Sequence, residues 1–352
     1  MSRMFRCAAV LMAATALTAP AVAEDSYMDL RDAYPTQPSQ WAGLGDTDDS
    51  LKLEFGVRYW YSIGGHDFNT YGGNFYSTDT AHIGELHLRI EDHHTNTFAK
   101  AIAGYSALIQ GDYTDPFNPP GTIADGHVGY IGADFGWNTF GNDNGAGIGP
   151  TVGYMYWNDS PNTTRANYTT AEPGDVINFD PNTGATSGFG FDSTPNNVDV
   201  HVLRLGVQGK VDLGGFVDID GEANVVPYAK ISGVIGSDET ATTTTGLGNI
   251  DTVKGSPTTI DGWGYGAMGQ LMFGIHPSEN LTFRLGGRAW YLQGTVDATY
   301  ADVTIGDPTD SDPLDTVNYD TAPTVSKQYH VEPGNPFSLL RYGLLAEMTY
   351  SF

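Results

Sequence analysis

The chain is poor in cysteine and in positive charge. Its 352 residues contain one cysteine, Cys7, and 16 Lys and Arg against 42 Asp and Glu. A single cysteine excludes a disulfide within the chain. The formal net charge of −26 disfavours nucleic acid as a partner, because such a surface repels a phosphate backbone. Divalent cations become the natural counter-ions at this surface.

Long apolar runs are also scarce. After residue 23 nothing approaches the roughly 20 apolar residues of a membrane-spanning helix, so any membrane residence would have to be as a β-barrel. The one apolar run, residues 7–17, follows two arginines and precedes Ala21-Val22-Ala23, which is typical of a signal peptide cleaved before Glu24. The predicted domains are therefore a signal peptide at 1–23, an acidic periplasmic lead-in at 24–50, and one large β domain at 51–352.

Glycine and aromatic residues are frequent, and this composition is typical of strands and turns. Apolar and polar residues alternate with a period of two in ten segments, which indicates extended strands. In one of them Leu86, Leu88 and Ile90 alternate with charged residues. The ten predicted strands are 51–62, 83–91, 97–107, 127–137, 147–157, 202–211, 217–231, 263–275, 282–292 and 338–352.

The connections between these segments alternate in length. Those after the even-numbered strands are short, and those after the odd-numbered strands are long and rich in Asp, Thr, Gly and Pro. This alternation is typical of the periplasmic turns and extracellular loops of a membrane barrel. The predicted fold is all-β: a transmembrane antiparallel up-and-down β-barrel of ten strands. Twelve strands are the alternative if part of 158–197 or 295–336 forms another hairpin.

The final strand ends the chain in Tyr350-Ser-Phe352. It resembles the closing strand of bacterial outer-membrane barrels, whose terminal aromatic is read by the assembly machinery. The resemblance implies that Tyr350 and Phe352 form the assembly signal. It also implies that the barrel-assembly machinery, outer-membrane lipid and lipopolysaccharide are partners, and that the protein is exported to the cell outer membrane.

The parity of each strand turns most basic side chains toward the barrel axis. The predicted interior is therefore a mixed-charge network beneath acidic loops, and in a narrow ten-stranded barrel such charges must be paired. We expect a polar plug with a largely closed lumen, and the alternative is a small porin-like anion channel. The predicted inward basic residues are Lys52, Arg58, Arg89, Lys100, Arg204, Lys210, Lys230, Arg284, Arg288 and Arg341, and the inward acids are Glu54, Glu85, Glu91, Asp134, Glu222 and Glu347.

Ten strands, five long outer loops and a closing aromatic resemble the omptin-type outer-membrane barrel. The stretches FGVRYWYS (55–62), LRLGV (203–207) and EANVVPYAKISG (222–233) also resemble a broad group of proteobacterial outer-membrane barrel proteins. Omptins are proteases in which paired aspartates and an Asp-x-His motif activate a water molecule. The resemblance therefore implies that an outer-membrane protease is a second alternative.

The omptin motif is incomplete in this chain. Asp112 and Asp115 lie in the second predicted outer loop, but one residue further apart than the family's pair. The Asp-x-His motif is Asp199-Val-His201, which follows the third long loop instead of lying in the fourth, and its parity matches the outward face of its strand. These residues are the alternative catalytic set, and we expect no enzymatic activity.

A dense carboxylate run in the last predicted loop offers the alternative metal site. It lacks the glycine and the terminal glutamate of a calcium-binding loop, so only loose association with divalent cations is expected. No cofactor-binding motif is present. The predicted role is structural or surface interaction through the acidic loops. The carboxylates of this run are Asp307, Asp310, Asp312 and Asp315.

Overall fold

The computed structural model describes residues 51–352, except 71–72, 115–119, 143–145, 164, 188–189, 214–215, 236–250, 313 and 315–317. The predicted signal peptide and lead-in, at 1–23 and 24–50, lie outside the described residues. Within the described part of the chain, no helix is long and apolar enough to cross a membrane.

Ten long strands form most of the molecule, and seven short strands lie in their connections. The long strands are β1 (Leu51–Thr70), β2 (Gly73–Asp92), β3 (Thr97–Thr114), β5 (Gly126–Trp137), β7 (Ala146–Pro161), β12 (Asn197–Leu213), β13 (Val217–Ile235), β15 (Thr258–Ile275), β16 (Leu281–Ile305) and β17 (Val325–Ser351). The short strands are β4 (Gly121–Ile123), β6 (Phe140–Asn142), β8 (Arg165–Thr169), β9 (Asn178–Phe179), β10 (Thr186–Ser187), β11 (Phe191–Pro195) and β14 (Asp251–Lys254).

The long strands pair antiparallel with their neighbours in chain order and close into a ring. β17 pairs with β1, and β7 pairs with β12 across the longest connection. The predicted antiparallel barrel is thereby confirmed, with ten long strands in the ring among the described residues. We call the end at Asp92–Thr97 and Leu213–Val217 the short-turn end, and the opposite end the loop end.

The strands are longer than predicted at the loop end. The predicted loop between residues 62 and 83 is mostly strand, because β1 continues to Thr70 and β2 begins at Gly73. The last hairpin is longer still, with 25 residues in β16 and 27 in β17. The barrel wall therefore extends well beyond the predicted segments.

The described parts of 158–197 and 295–336 add no further long strand to the ring. Instead, β8 pairs with β11 and β9 with β10 in small separate ribbons. A second apolar cluster lies where this connection meets the extended last hairpin. Tyr319 N donates to Pro181 O at 3.0 Å, and Asn318 Nδ2 donates to Asn182 O at 3.0 Å, which ties the two loops together.

The face of the barrel wall that carries the apolar residues changes along the strands, as β12 illustrates. Near the short-turn end, Leu203 and Leu205 are exposed on the outer face, and Arg204 is buried inside. Near the loop end, Val200 and Val202 are fully buried inside, and His201 lies between them on the outer face. The short-turn half thus has an apolar exterior and a polar interior, whereas the loop half has a more polar exterior and a mainly apolar core that also encloses one buried ion cluster.

Candidate functional site

The interior of the short-turn half holds a dense network of ion pairs. Arg284 of β16 donates from Nη1 to Glu54 at 3.1 Å and to Glu347 at 2.7 Å, and from Nη2 to Asp218 at 2.8 Å. Lys210 Nζ lies 3.9 Å from the same Asp218 carboxylate. Because Glu54, Glu347 and Asp218 come from β1, β17 and β13, one guanidinium links four strands.

A second group of ion pairs lies deeper in the barrel around Glu85. Arg58 Nη1 donates to Glu85 at 2.9 Å, and Arg288 Nη1 donates to it at 2.6 Å. Arg58 Nε also donates to Glu347, which joins the two groups. Arg288 donates in addition to Gln270 Oε1, from Nε at 3.0 Å and from Nη2 at 2.7 Å. Both oxygens of Glu85 are therefore used by cations.

Two further groups complete the interior of this half. Arg204 Nη2 donates to Asp134 at 2.8 Å, and Lys100 Nζ donates to Glu222 across the barrel. Arg89 Nε donates to its strand neighbour Glu91 at 2.7 Å, and its guanidinium lies 4.4 Å from the centre of the Phe98 ring. The inward placement predicted from strand parity is found for Glu54, Arg58, Glu85, Arg89, Asp134, Arg204, Lys210, Arg284, Arg288, Arg341 and Glu347.

An aromatic layer lies above this network. Trp60 of β1, Trp157 of β7 and Tyr130 of β5 all contact Trp290 of β16, with ring centroids at 4.8, 5.5 and 4.9 Å. Trp60 and Trp157 are fully buried. β5 and β16 are five strands apart in a ring of ten, so the contact between Tyr130 and Trp290 crosses the full width of the barrel. At this level the aromatic side chains fill the interior.

Arg341 forms a fully buried cluster in the loop half. It donates to both oxygens of Asp79 at 3.0 Å, to those of Asp159 at 2.9 and 3.0 Å, and to Ser62 Oγ at 3.1 Å. These bonds use all five N–H groups of the guanidinium. His66 Nε2 lies 3.4 Å from Asp159. Since β17 and β7 are also five strands apart, this cluster is a second contact across the barrel.

Sequence reasoning missed both carboxylates of this cluster. The predicted loops 63–82 and 158–201 contain Asp79 and Asp159, although the structure has them on β2 and β7. The alternation of faces along β2 could have predicted that Asp79 points inward. It lies at an even spacing from Ala81 and Ile83, which are fully buried inside the barrel.

Lys230 was predicted to face inward, and this prediction is wrong. A β-bulge between Val226 and Ala229 shifts the register of β13, so that Ala229 and Ile231 point inward and are fully buried. The side chain of Lys230 is 39% exposed and forms an ion pair with Asp261 on the outer face. The extra residue of a bulge reverses the parity beyond it.

A polar cavity lies within the ion-pair network. The volume available to the centres of water molecules is about 40 Å³, and the wall contains seven basic and five acidic side chains together with His87. The deep end is formed by Trp290 and Met268. Toward the short-turn end the side chains become more exposed, with 26% for Lys210 against 4% for Arg288. The cavity is therefore open toward the short turns and blind at the aromatic layer.

Among the described residues, one group has the spacing of a metal site. Ligand atoms of Glu54, His87 and Glu347 lie within 4.8 Å of one another, and all three residues are buried. However, Arg284 Nη1 donates to both of these carboxylates. A guanidinium thus already supplies the positive charge that a metal ion would bring.

The predicted carboxylate run in the last loop is used in turn hydrogen bonds. Asp310 accepts from Asp312 N at 3.0 Å, and Asp312 accepts from Leu314 N at 3.2 Å. Asp307 lies at the start of this loop, and Asp315 lies outside the described residues. In the same loop, hydrogen bonds from Ser311 hold the pKa of the Asp320 carboxyl below its usual value of 3.8.

The alternative catalytic residues are not brought together. Asp112 is exposed on β3, three strands away from β12, which carries Asp199 and His201. Asp115 lies outside the described residues. As predicted from parity, Asp199 and His201 lie on the outer face. Tyr156 donates to Asp199 at 2.5 Å, and Tyr154 Oη lies 2.6 Å from His201 Nδ1.

The closing aromatics lie on the outer surface at the short-turn end. Tyr350 and Phe352 are 46% and 71% exposed, and their ring centroids are 4.9 Å apart. Phe352 N donates to Leu53 O at 2.9 Å, which continues the pairing of the last strand with the first. The terminal aromatic is therefore held against β1 and presented outward.

Comparison with solved structures gives the class of fold. The chain is similar to the outer membrane protease OmpT from Escherichia coli, with a TM-score of 0.56 at 10% identity, covering 87% of this chain and 98% of that one. The fold is that of an outer-membrane β-barrel. No protein-family model matches the chain, and no curated protein matches it.

Two autotransporter domains are also similar, with lower scores. The translocator domain of autotransporter NalP from Neisseria meningitidis has a TM-score of 0.33 at 9% identity, covering 89% of this chain and 92% of that one. The beta domain of the Bordetella autotransporter Brka has a TM-score of 0.32 at 10% identity, covering 86% of this chain and 100% of that one. At these identities the likeness concerns the fold alone.

Proposed function

We propose that this protein is an integral outer-membrane barrel with a closed lumen and a non-enzymatic, structural or surface-interaction role. The observation that carries the proposal is the pair of contacts across the full width of the barrel, Tyr130 with Trp290 and Arg341 with Asp159. An open channel needs a continuous water-filled path, and these two layers occupy it.

The position of the barrel in the membrane follows from where along each strand the outer face is apolar. On β12 the exposed apolar residues run from Leu203 to Leu213, which is about the 9–11 residues that a tilted membrane strand needs. Beyond them, Asp199 and His201 meet tyrosines on the outer face, as expected at a lipid–water boundary. The loop half then extends into water, where ordered loops on a rigid scaffold can bind partners.

Planar-bilayer recording tests the closed lumen. The purified full-length protein is expected to give no steady current steps. The double variant Trp60→Ala/Trp290→Ala removes two rings of the aromatic layer but leaves the Arg341 cluster in place, so it is also expected to give no steady steps, as is the control Tyr265→Ala on the outer face. Steady anion-selective steps from the unmodified protein would favour the channel alternative and overturn the proposal.

Two further assays test the remaining parts of the proposal. Heat-modifiable migration on gels, with the unheated protein running faster, is expected of a folded barrel.

For the enzymatic alternative, the protein is mixed with lipopolysaccharide and a peptide library. We expect no cleavage, and cleavage that is lost in Asp112→Ala would establish a protease instead.

A further inference from the structure

The part of β17 that extends beyond β1 has an open edge. Pairing between β1 and β17 ends at Phe68 and Phe337, whereas β17 continues along β16 as far as Val325. Among the described residues, no strand other than β16 pairs with residues 325–336. A strand edge of this kind presents backbone N–H and C=O groups to any extended chain that reaches it.

The alternation of backbone hydrogen bonds shows which groups face this edge. Gly306 N donates to Thr324 O at 2.8 Å, so the even-numbered residues in this part of β17 bond to β16. The odd-numbered residues turn their N–H and C=O groups the other way. Among them, Tyr329 and Val331 also have side chains that are 70% and 62% exposed. Backbone groups and two large apolar side chains are therefore accessible together at the edge.

The charge of the surrounding hairpin favours a cationic partner. Residues 296–336 contain eight Asp and Glu against one basic residue, Lys327. Lys327 donates to Glu172 in the connection between β7 and β12, so its charge is already matched. A second copy of this chain would bring the same acidic surface, and the two surfaces would repel each other. A basic extended segment is attracted instead.

The two faces of the edge differ in chemistry. Tyr329 and Val331 lie on one face. The other face carries Glu332 and the ion pair of His330 with Asp302, in which Nε2 lies 3.1 Å from the carboxylate. The side chains of an added strand would alternate between these two faces. The edge therefore fits a segment in which apolar residues alternate with basic ones.

We propose that the edge of β17 at residues 325–332 binds an extended segment of a partner protein in which apolar and basic residues alternate. The segment adds a strand to the sheet through backbone hydrogen bonds. Its apolar side chains lie beside Tyr329 and Val331, and its basic side chains lie on the face of Glu332. This binding specifies the partner of the surface-interaction role proposed above and rests on that role.

Titration of the folded full-length protein in detergent with a fluorescent peptide tests this edge. The probe is a short peptide of alternating lysine and valine, followed by fluorescence anisotropy. We expect saturable binding of one peptide per barrel, which weakens as salt is added because the attraction is electrostatic. The same peptide N-methylated along its backbone has lost its donors and is expected to bind about tenfold more weakly or less. A peptide with glutamate in place of lysine is expected not to bind.

Val331→Pro is the informative variant of the protein. Proline removes the N–H that faces the edge, and edge strands tolerate proline where that N–H has no partner in the sheet. Binding of the lysine–valine peptide is expected to weaken by about tenfold. Val331→Ala keeps the N–H and is the matched control, with a smaller loss expected. Heat-modifiable migration checks that both variants fold, and the N-methylated peptide tests the edge without any change to the protein.

Three results would overturn the proposal. One is the absence of saturable binding of the lysine–valine peptide. Another is equal binding of this peptide and its N-methylated form. The third is a dimer of the unmodified protein in sedimentation that Val331→Pro dissociates, which would assign the edge to a second copy. Bilayer conductance is a separate readout, so the edge and the closed lumen can fail independently.

Discussion

Replacing Arg341 by methionine is expected to destabilise the barrel strongly. The guanidinium is fully buried and makes five hydrogen bonds, four of them to the carboxylates of Asp79 and Asp159. Methionine preserves much of the volume but leaves both carboxylates without their cation. Removing one partner of a buried ion pair costs about 3–5 kcal/mol in the free energy of unfolding.

The triple variant Arg341→Met/Asp79→Asn/Asp159→Asn separates this effect from packing. It removes the uncompensated charge while keeping the shape of the cluster, so it is expected to be more stable than Arg341→Met alone. Lys230→Met is the control, because its exposed pair with Asp261 contributes at most about 1 kcal/mol. Urea unfolding in lipid vesicles, followed by tryptophan fluorescence, measures all three.

Two results would contradict this expectation. In the first, Arg341→Met loses no more stability than Lys230→Met. In the second, the triple variant is no more stable than Arg341→Met. Either result would mean that the carboxylates find water or another cation once the guanidinium is removed.

Three further predictions concern other parts of the chain. Gly64→Ala is expected to cost about 1–3 kcal/mol in the same urea assay, because a Cβ there would lie 2.3 Å from Arg341 Nη2; an unchanged midpoint would contradict this packing. Lys230→Cys is expected to react with a membrane-impermeant maleimide on whole cells, because residue 230 lies on the outer face. An unreactive thiol would contradict this exposed position on the outer face of the barrel. Ser311→Ala is expected to raise the pKa of Asp320 in an NMR titration toward 3.8, because it removes a donor to the carboxylate. With Ser311 present, the Asp320 carboxylate stays charged and keeps its hydrogen bonds as the pH falls below 3.8, and it is protonated only at its lowered pKa. An identical titration of Asp320 in Ser311→Ala and in the unmodified protein would contradict the hydrogen bond from Ser311.

Strand parity predicted the interior of the short-turn half well. Arg58, Arg204 and Arg284 point inward because a period of two assigns every second side chain to one face, wherever the strand is regular. The same rule placed His201 on the outer face, where it lies beside Tyr154. These predictions needed only local sequence.

Irregular backbone limited the prediction elsewhere. The bulge between Val226 and Ala229 reverses the face of Lys230. Pro227 lies within it and is the residue that could have signalled it, because proline inside a sheet is confined to edge strands, strand starts and bulges. The apolar core of the loop half was missed for a different reason. Alternation around Val200 and Val202 has the same period as alternation around Leu203, so the pattern does not say which face meets lipid.

The Arg341 cluster has a consequence for how the chain is completed. The two acids belong to β2 and β7, which are synthesised early, whereas their cation arrives with the last strand. Until β17 takes its place, the two carboxylates lack the guanidinium that contacts both of them in the finished barrel. A product that is truncated before β17, or that carries β17 out of register, is therefore expected to leave both carboxylates without this partner.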